Sequence, residues 1–353
     1  MALDDQQEHR QQVQPSPQKN VPEKNAPEKN TITTRVIAAD EADIRLDRWF
    51  KRHFPWLGHG KLEKLLRTGQ VRVDGSRAKA ATRLEVGQSI RIPPLGEPPK
   101  AEEKPRAPRV DADRIAALQA AVLHKDDAVI VLNKPPGLAT QGGTGITEHL
   151  DGLLDYFRFG ASERPRLVHR LDKDTSGVLV LARTATAAAK LAAALRKREA
   201  HKLYWALTVG VPSPREGKID MPLAKLPGAL GERMAMDPEG GKSAITLYRV
   251  IATAGRRAAW LGMAPVTGRT HQLRVHAAAL GTPIAGDGKY GDTENQLTGG
   301  ISRKLHLHAR ALRLEHPDGG ILQVKAPLPP HMLASWDFLG FDRDEDDADE
   351  WLE

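Results

Sequence analysis

Residues Leu167–Arg183 read LVHRLDKDTSGVLVLAR, and this stretch decides how the rest of the chain is understood. The apolar run from Val178 to Ala182 predicts a buried strand. Before it lie Asp174, Thr175, Ser176 and Gly177, all residues that favour turns. Asp172, which directly follows His169, Arg170 and Leu171, is therefore an acid held in a tight turn at the mouth of a core strand. Such an acid either caps a turn or performs chemistry, and the residues taken alone leave both readings open.

Outward from this stretch the pattern alternates strands and helices. Thr186 to Lys197 is Ala- and Leu-rich, with Leu191 and Leu195 at i, i+4, and predicts a helix. His201 to Leu207 predicts a strand leaving at Gly210, with Lys202 and Tyr204 on one face and Leu203 and Trp205 on the other. Thr246 to Val250 and Ala258 to Pro265 are further strands. TGRTHQLRVH, residues 267–276, reads as a turn and then a helix stopped at Gly281. On the N-terminal side, Asp111 to Val122 predicts a helix and Ala128 to Leu132 a strand that runs into the rigid turn Asn133 to Gly137. Gln141 to Gly145 is glycine-rich but lacks the GK[ST] ending of a phosphate loop, so it predicts a flexible loop.

Val36 to Pro93 forms a separate pattern. Leu46, Trp49 and Phe50 fall on one helical face while Arg45, Arg48 and Arg52 occupy another. A second helix carries Leu62, Leu65 and Leu66, with Lys61 and Lys64 elsewhere on its surface and Gly69 at its end. Val71 and Val73 alternate with Arg72, Asp74-Gly75 marks a turn, and Ile90 and Ile92 alternate with Arg91, giving two short strands. A Pro, Glu and Lys linker follows.

The 353 residues allow two or three domains, and the formal net charge of +7 points to a polyanionic partner. Absence of cysteine excludes disulfides, thiolate metal sites and cysteine nucleophiles. No apolar run reaches membrane-spanning length and the first thirty residues lack a secretory signal, so a cytoplasmic protein is expected. The first 33 residues, with PQKN and two PEKN units, predict a disordered tail, and the acids from Asp342 to Glu350 a solvated one. His271, His276, His306 and His308 lack zinc-site spacing and are expected to be structural or RNA-contacting.

HRLDKDTSGVLVLA at 169–182, NKPPG at 133–137, the KxYxAL pattern at 202–207, GKSAIT at 241–246 and TGRTHQLRVH at 267–276 together resemble the RluA-type pseudouridine synthases. GTPIAGDGKYGD at 281–292 and RKLHLHARAL at 303–312 resemble the family's remaining blocks. The resemblance implies Asp172 as the catalytic carboxylate, Arg274 as its ion-pair partner and Tyr204 stacking on a uridine flipped from its RNA. It further implies His169, Arg170, Lys202 and Leu273 around the base, with Leu273 beneath it. A lone carboxylate suits an isomerisation better than glycoside hydrolysis, which normally uses two. Whether Asp172 adds to the sugar, adds to the base or takes a sugar proton stays open, as does Tyr204 acting as a base.

RTGQVRVDG and the two basic helices resemble the S4 RNA-binding module, which implies Arg45, Arg48, Lys61, Lys64, Arg67 and Arg72 as phosphate contacts. The expected architecture is α+β. A tail (1–33), an S4-like domain (34–93) and a linker (94–110) precede a catalytic domain (111–340), with a mostly antiparallel mixed sheet flanked by helices, and an acidic tail (341–353). The expected substrate is large-subunit (23S) ribosomal RNA, acted on by a monomer that uses no metal or cofactor and binds no membrane. The N-terminal module and the loop after NKPPG resemble the RluC-like branch. An RluD-like or transfer-RNA-directed synthase, or a catalytically silent ribosome-assembly factor, are the alternatives.

Overall fold

A computed structural model describes residues 32–96, 111–143, 146–197, 199–226, 233–291, 296–344 and 351. The expectations for the N-terminal tail before residue 32, the linker over 97–110, positions 144–145 of the glycine-rich loop and the acids at 345–350 fall outside the described residues. The chain divides into two compact units between Arg109 and Val110.

In the first unit, β1 (Thr33–Val36) precedes α1 (Leu46–His53), α2 (His59–Arg67), β2 (Arg72–Val73), β3 (Ser76–Arg77) and β4 (Ser89–Ile92). The strands form an antiparallel sheet in the order β1-β4-β2-β3. Leu46, Trp49 and Phe50, on one face of α1, are buried with Leu62, Leu66, Val71, Val73, Ile90 and Ile92 in a single core. Asp74 and Gly75 both take positive φ, 48° and 74°, which is the backbone a two-residue hairpin needs. β1 was not expected, because all four of its residues are exposed at the sheet edge and carry no alternation to read. The expected boundary of the tail at residue 33 therefore falls inside a strand.

The second unit begins with α3 (Ala112–Ala120), β5 (Val122–Lys125), β6 (Val129–Lys134), α4 (Leu150–Leu153) and β7 (Arg166–Leu167). Next come β8 (Ser176–Ala182), α5 (Ala185–Lys197), β9 (His201–Val209), β10 (Glu216–Asp220), β11 (Leu223–Leu226) and β12 (Arg233–Met236). β13 (Ile245–Ala254), β14 (Ala258–Pro265), α6 (Gln272–Ala279), β15 (Leu307–Glu315), β16 (Ile321–Lys325) and α7 (Pro330–Leu339) complete it. Ten strands form one sheet along the path β10-β13-β14-β9-β15-β8-β6-β5, with β16 on β15 and β7 on β8. Every pairing is antiparallel except β8 with β15.

The sheet is covered on both faces, and this explains the unbroken apolar run in β8. Leu179 and Leu181 pack with Ile130, Leu132, Ile115 and Phe157, while Val178 and Val180 pack with Val129, Val131 and Leu191 of α5. Under α7, Trp205, Trp260 and Trp336 interlock edge to face, with centroids 4.7 and 5.6 Å apart. The parallel pair depends on Gly177. Its φ is 108°, and a β-carbon there would lie 2.2 Å from the Ala309 carbonyl oxygen, so only glycine lets β15 come alongside.

Candidate active site

Asp172 sits on the turn that feeds β8, and its own carbonyl accepts the Thr175 N–H at 3.2 Å. Neighbouring segments hold this turn through its backbone. Thr140 Oγ1 donates to the Leu171 carbonyl at 2.7 Å and accepts the Leu171 N–H at 3.2 Å. Lys134, the last residue of β6, is fully buried and donates to the carbonyls of Pro135, Leu138 and Lys173 at 2.9, 2.9 and 3.0 Å. Three acceptors match the three N–H groups of an ammonium. Burial nevertheless pulls the Lys134 pKa down to about 7, against the opposing charges of Asp174 and Asp172. The NKPPG segment is thus a prop beneath the Asp172 turn, and Gly137 N–H adds a further bond to the Lys173 carbonyl at 2.9 Å.

The other wall comes from the start of α6 and from β9. Gln272 fixes the helix start: its Oε1 accepts from Thr267 Oγ1 at 2.7 Å and from Arg269 N–H at 3.0 Å, while its Nε2 donates to the Ile245 carbonyl at 2.9 Å. Two residues on, Arg274 places Nη1 3.8 Å from Asp172 Oδ2. This contact is longer than a hydrogen bond. The tight partner of Arg274 is instead Asp287, which takes Nε on Oδ2 and Nη2 on Oδ1, both at 2.7 Å. Arg274 thus faces both acids: a buried Asp287 orients the guanidinium through two short bonds, and Asp172 faces Nη1 at ion-pair distance. Burial works against ionisation of Asp287, but Arg274 and the N–H groups of Lys289 and Tyr290 outweigh it and hold its pKa below the ordinary carboxylate value.

Asp172, Tyr204, Arg274, His169, Arg170, Lys202 and Leu273 all line one cleft of about 600 Å³. It crosses the middle of the sheet, where β9, β15 and β8 are neighbours. Tyr204 and Lys202 project from the same face of β9, as their spacing predicts. Burial and then the charge of Asp172 push the Tyr204 pKa upward. Burial lowers the pKa of Lys202. His169, besides lining the cleft, is tied to β8: its Nε2 accepts the Val180 N–H at 2.9 Å, and burial depresses its pKa to about 3. A neutral ring tied to β8 braces the turn while presenting an edge to the cleft. Arg170 is exposed at the rim.

The four histidines weighed for zinc have separate polar partners. His271 meets Tyr290 at 2.7 Å, His276 meets Thr246 at 2.9 Å, His306 meets Ser335 at 2.8 Å and His308 meets Ser176 at 2.9 Å. Among the described residues no group of three or more His, Cys, Asp or Glu could hold a metal ion, and no helix is long and apolar enough to cross a membrane.

In the first unit Arg48, Lys61, Lys64 and Arg67 are exposed. Three of the expected phosphate contacts also bond groups of the protein itself, and for Lys61 the bond is from Nζ to the Leu95 carbonyl at 3.2 Å. Arg72 donates to the carbonyls of Gly69 at 3.1 Å and Gly75 at 2.8 Å and so ties the end of α2 to the hairpin. Arg45 forks onto Asp47 at 3.2 and 2.7 Å.

A carboxylate, an aromatic ring and a guanidinium thus share one cleft wide enough for a nucleotide. The chain belongs to the RNA pseudouridylate synthase family, whose profile matches residues 128–279. It is 38% identical over 306 residues to "Ribosomal large subunit pseudouridine synthase C" of Salmonella typhimurium, covering 83% of this chain and 92% of the relative. The protein of that name from Rickettsia conorii is 37% identical over 296 residues, covering 81% and 94% of the two chains. Among solved structures, human RNA pseudouridylate synthase domain containing 4 shares 32% identity with a TM-score of 0.55, over 65% of this chain and 96% of that one.

Proposed function

We propose that this enzyme converts specific uridines of large-subunit (23S) ribosomal RNA to pseudouridine, a reading supported by relatives named as ribosomal large subunit pseudouridine synthases. Asp172 is the catalytic carboxylate. The flipped uracil lies on Tyr204 with Leu273 beneath it, between Arg170 and Lys202, and Arg274 orients Asp172 from the far side. The N1–C1′ bond breaks, the ring turns in the closed cleft, the C1′–C5 bond forms, and C5 loses a proton while N1 gains one. Nothing leaves and no water enters, so one carboxylate suffices. The first unit acts as an S4-like RNA anchor through Arg48, Lys61, Lys64 and Arg67, joined by the linker at 94–110 to the catalytic domain that follows.

The observation that carries this reading is the convergence of Asp172, Tyr204 and Arg274 on one cleft from three separate elements. The test is pseudouridine mapping, by carbodiimide treatment and primer extension, on unmodified large-subunit RNA incubated with wild-type protein or Asp172→Asn. Stops at discrete uridines with wild type alone are expected. Stops that persist with Asp172→Asn overturn the role of Asp172, and RNA that is bound but never modified overturns the substrate.

A further inference from the structure

His271 has no part in the chemistry assigned so far to Asp172, Tyr204 and Arg274. It stands immediately before α6 at φ 55° and ψ 19°, in the left-handed region that residues bearing a β-carbon seldom adopt. The described residues include four non-glycine positions with positive φ, Asp43, Asp74, Phe159 and His271, and of these only His271 lines the cleft. Strain of this kind persists where the surroundings fix a side chain in place.

The surroundings here are specific. His271 Nδ1 lies 2.7 Å from Tyr290 Oη, and the two rings meet edge to face with centroids 5.5 Å apart. Tyr290 Oη also accepts the Met234 N–H of β12 at 3.2 Å, and its ring packs against the guanidinium groups of Arg274 and Arg233, 5.1 and 5.0 Å from the centroid. At the opposite edge of the imidazole, Nε2 stands 3.9 Å from Asp172 Oδ2. That is the same oxygen that Arg274 Nη1 approaches to 3.8 Å. Two donors thus converge on one carboxylate oxygen, both slightly beyond bonding distance, as is common before a substrate closes a site.

Burial first, then Arg274 and Lys289, hold the His271 pKa below its ordinary value, with Asp172 and Asp287 opposing, so the ring is neutral and has one N–H. Burial raises the pKa of Tyr290, which keeps its hydroxyl proton. Met234 N–H on the phenol oxygen favours the arrangement in which the phenol proton goes to Nδ1, and that arrangement puts the imidazole proton on Nε2, facing Asp172.

We infer that His271 is a positioning residue for the reaction, offering Nε2–H to Asp172 Oδ2 so that, with Arg274, it fixes the carboxylate and leaves Oδ1 to face the nucleotide. Tyr290 sets the tautomer, and β12 holds Tyr290. The inference rests on Asp172 being the catalytic carboxylate.

The test uses the full chain in single-turnover pseudouridine formation, with RNA affinity and melting temperature measured for each variant. Glutamine places an amide N–H where Nε2 stands, whereas asparagine reaches only the Nδ1 position but tolerates the left-handed backbone better. His271→Ala is expected to slow the step by about 10- to 100-fold, the worth of a hydrogen bond to a charged group, with RNA affinity changed by less than about threefold. His271→Gln restores most of the rate and His271→Asn does not. A purely structural role gives the reverse order, with Asn rescuing and Gln failing, and overturns the inference even if the Ala variant does not fold. Tyr290→Phe slows the wild-type enzyme but leaves His271→Gln unaffected, because an amide has no tautomer to set. Asp172→Asn runs beside these variants: if it matches wild type, the reading of Asp172 falls and this inference with it. If only Asp172→Asn fails and His271→Ala keeps full rate, the inference alone falls.

Discussion

Replacing Asp287 by asparagine tests the electrostatic core of the site, and its magnitude can be worked from the bonds. Oδ1 accepts three of them, from Arg274 Nη2 at 2.7 Å, Lys289 N–H at 2.9 Å and Tyr290 N–H at 3.1 Å. Among the described residues, Oδ2 accepts Arg274 Nε at 2.7 Å. Asparagine keeps a carbonyl at the busy position and turns an NH₂ toward Arg274 Nε–H, so donor meets donor. One charge-assisted bond disappears and the guanidinium is deprived of its closest counter-charge, a change of about 3–5 kcal/mol when a buried pair is broken from one side. For a unit of this size each kcal/mol moves the melting temperature by about 2–4 °C, so a fall of roughly 10 °C at neutral pH is expected in calorimetry. The sign of the pH dependence follows from the depressed folded-state pKa. Asp287 contributes its stability above the unfolded value near 3.8 and loses it as pH falls through the lower folded value. The wild-type melting temperature should therefore drop toward that of Asp287→Asn as acid is added below about pH 4, and the two curves should converge. Catalysis should fall as well, since Arg274 freed from Asp287 is already 3.8 Å from Asp172 and can capture the carboxylate it now only orients. A variant that melts within about 2 °C of wild type, with an unchanged acid limb, would show that Arg274 does not depend on Asp287.

Two further outcomes are expected. Gly177→Ala should abolish soluble expression or lower stability by more than about 3 kcal/mol, because the added methyl collides with the Ala309 carbonyl and φ 108° suits only glycine; a variant that folds normally refutes the close approach of β8 and β15. Changing Lys61, Lys64 and Arg67 together to glutamine should flatten the dependence of RNA affinity on salt by about one unit of slope for each phosphate no longer neutralised, with the saturated single-turnover rate little altered; an unchanged slope removes this face from the RNA interface.

What could be read from the sequence was whatever periodicity records. Leu46, Trp49 and Phe50 announce their helix because one face is buried, and Val178 to Val180 announce a strand because the sheet is covered on both sides. Lys202 and Tyr204 share a face by simple alternation, and the cleft uses that face. β1 escaped because an exposed edge strand needs no apolar pattern. Asp287 escaped for a different reason: an acid within GDGKYG reads as a solvated turn, and only the fold brings Arg274 onto it. Lys134 likewise reads as a surface lysine until three carbonyls close around it. Arg72 also has partners that the pattern does not show, since a cation on a short strand between two glycine turns finds carbonyls near enough to bond it. In each case a polar side chain took partners distant in sequence or supplied by the backbone, and neither leaves a repeat to detect.

The lone parallel pairing in the sheet also bears on when the protein becomes active during its own synthesis. Ser176 and His308, bonded at 2.9 Å, are 132 residues apart, so the strand that carries Asp172 into place waits for one made far later. Until β15 arrives, β8 has no neighbour on that side, and a row of unpaired backbone groups stands beside the unfinished site. A nascent chain halted after α6 would already contain Asp172, Tyr204 and Arg274 yet lack the strand that joins β9 to β8. Competence to modify RNA thus waits for β15, and the order of synthesis itself keeps products that lack this strand silent.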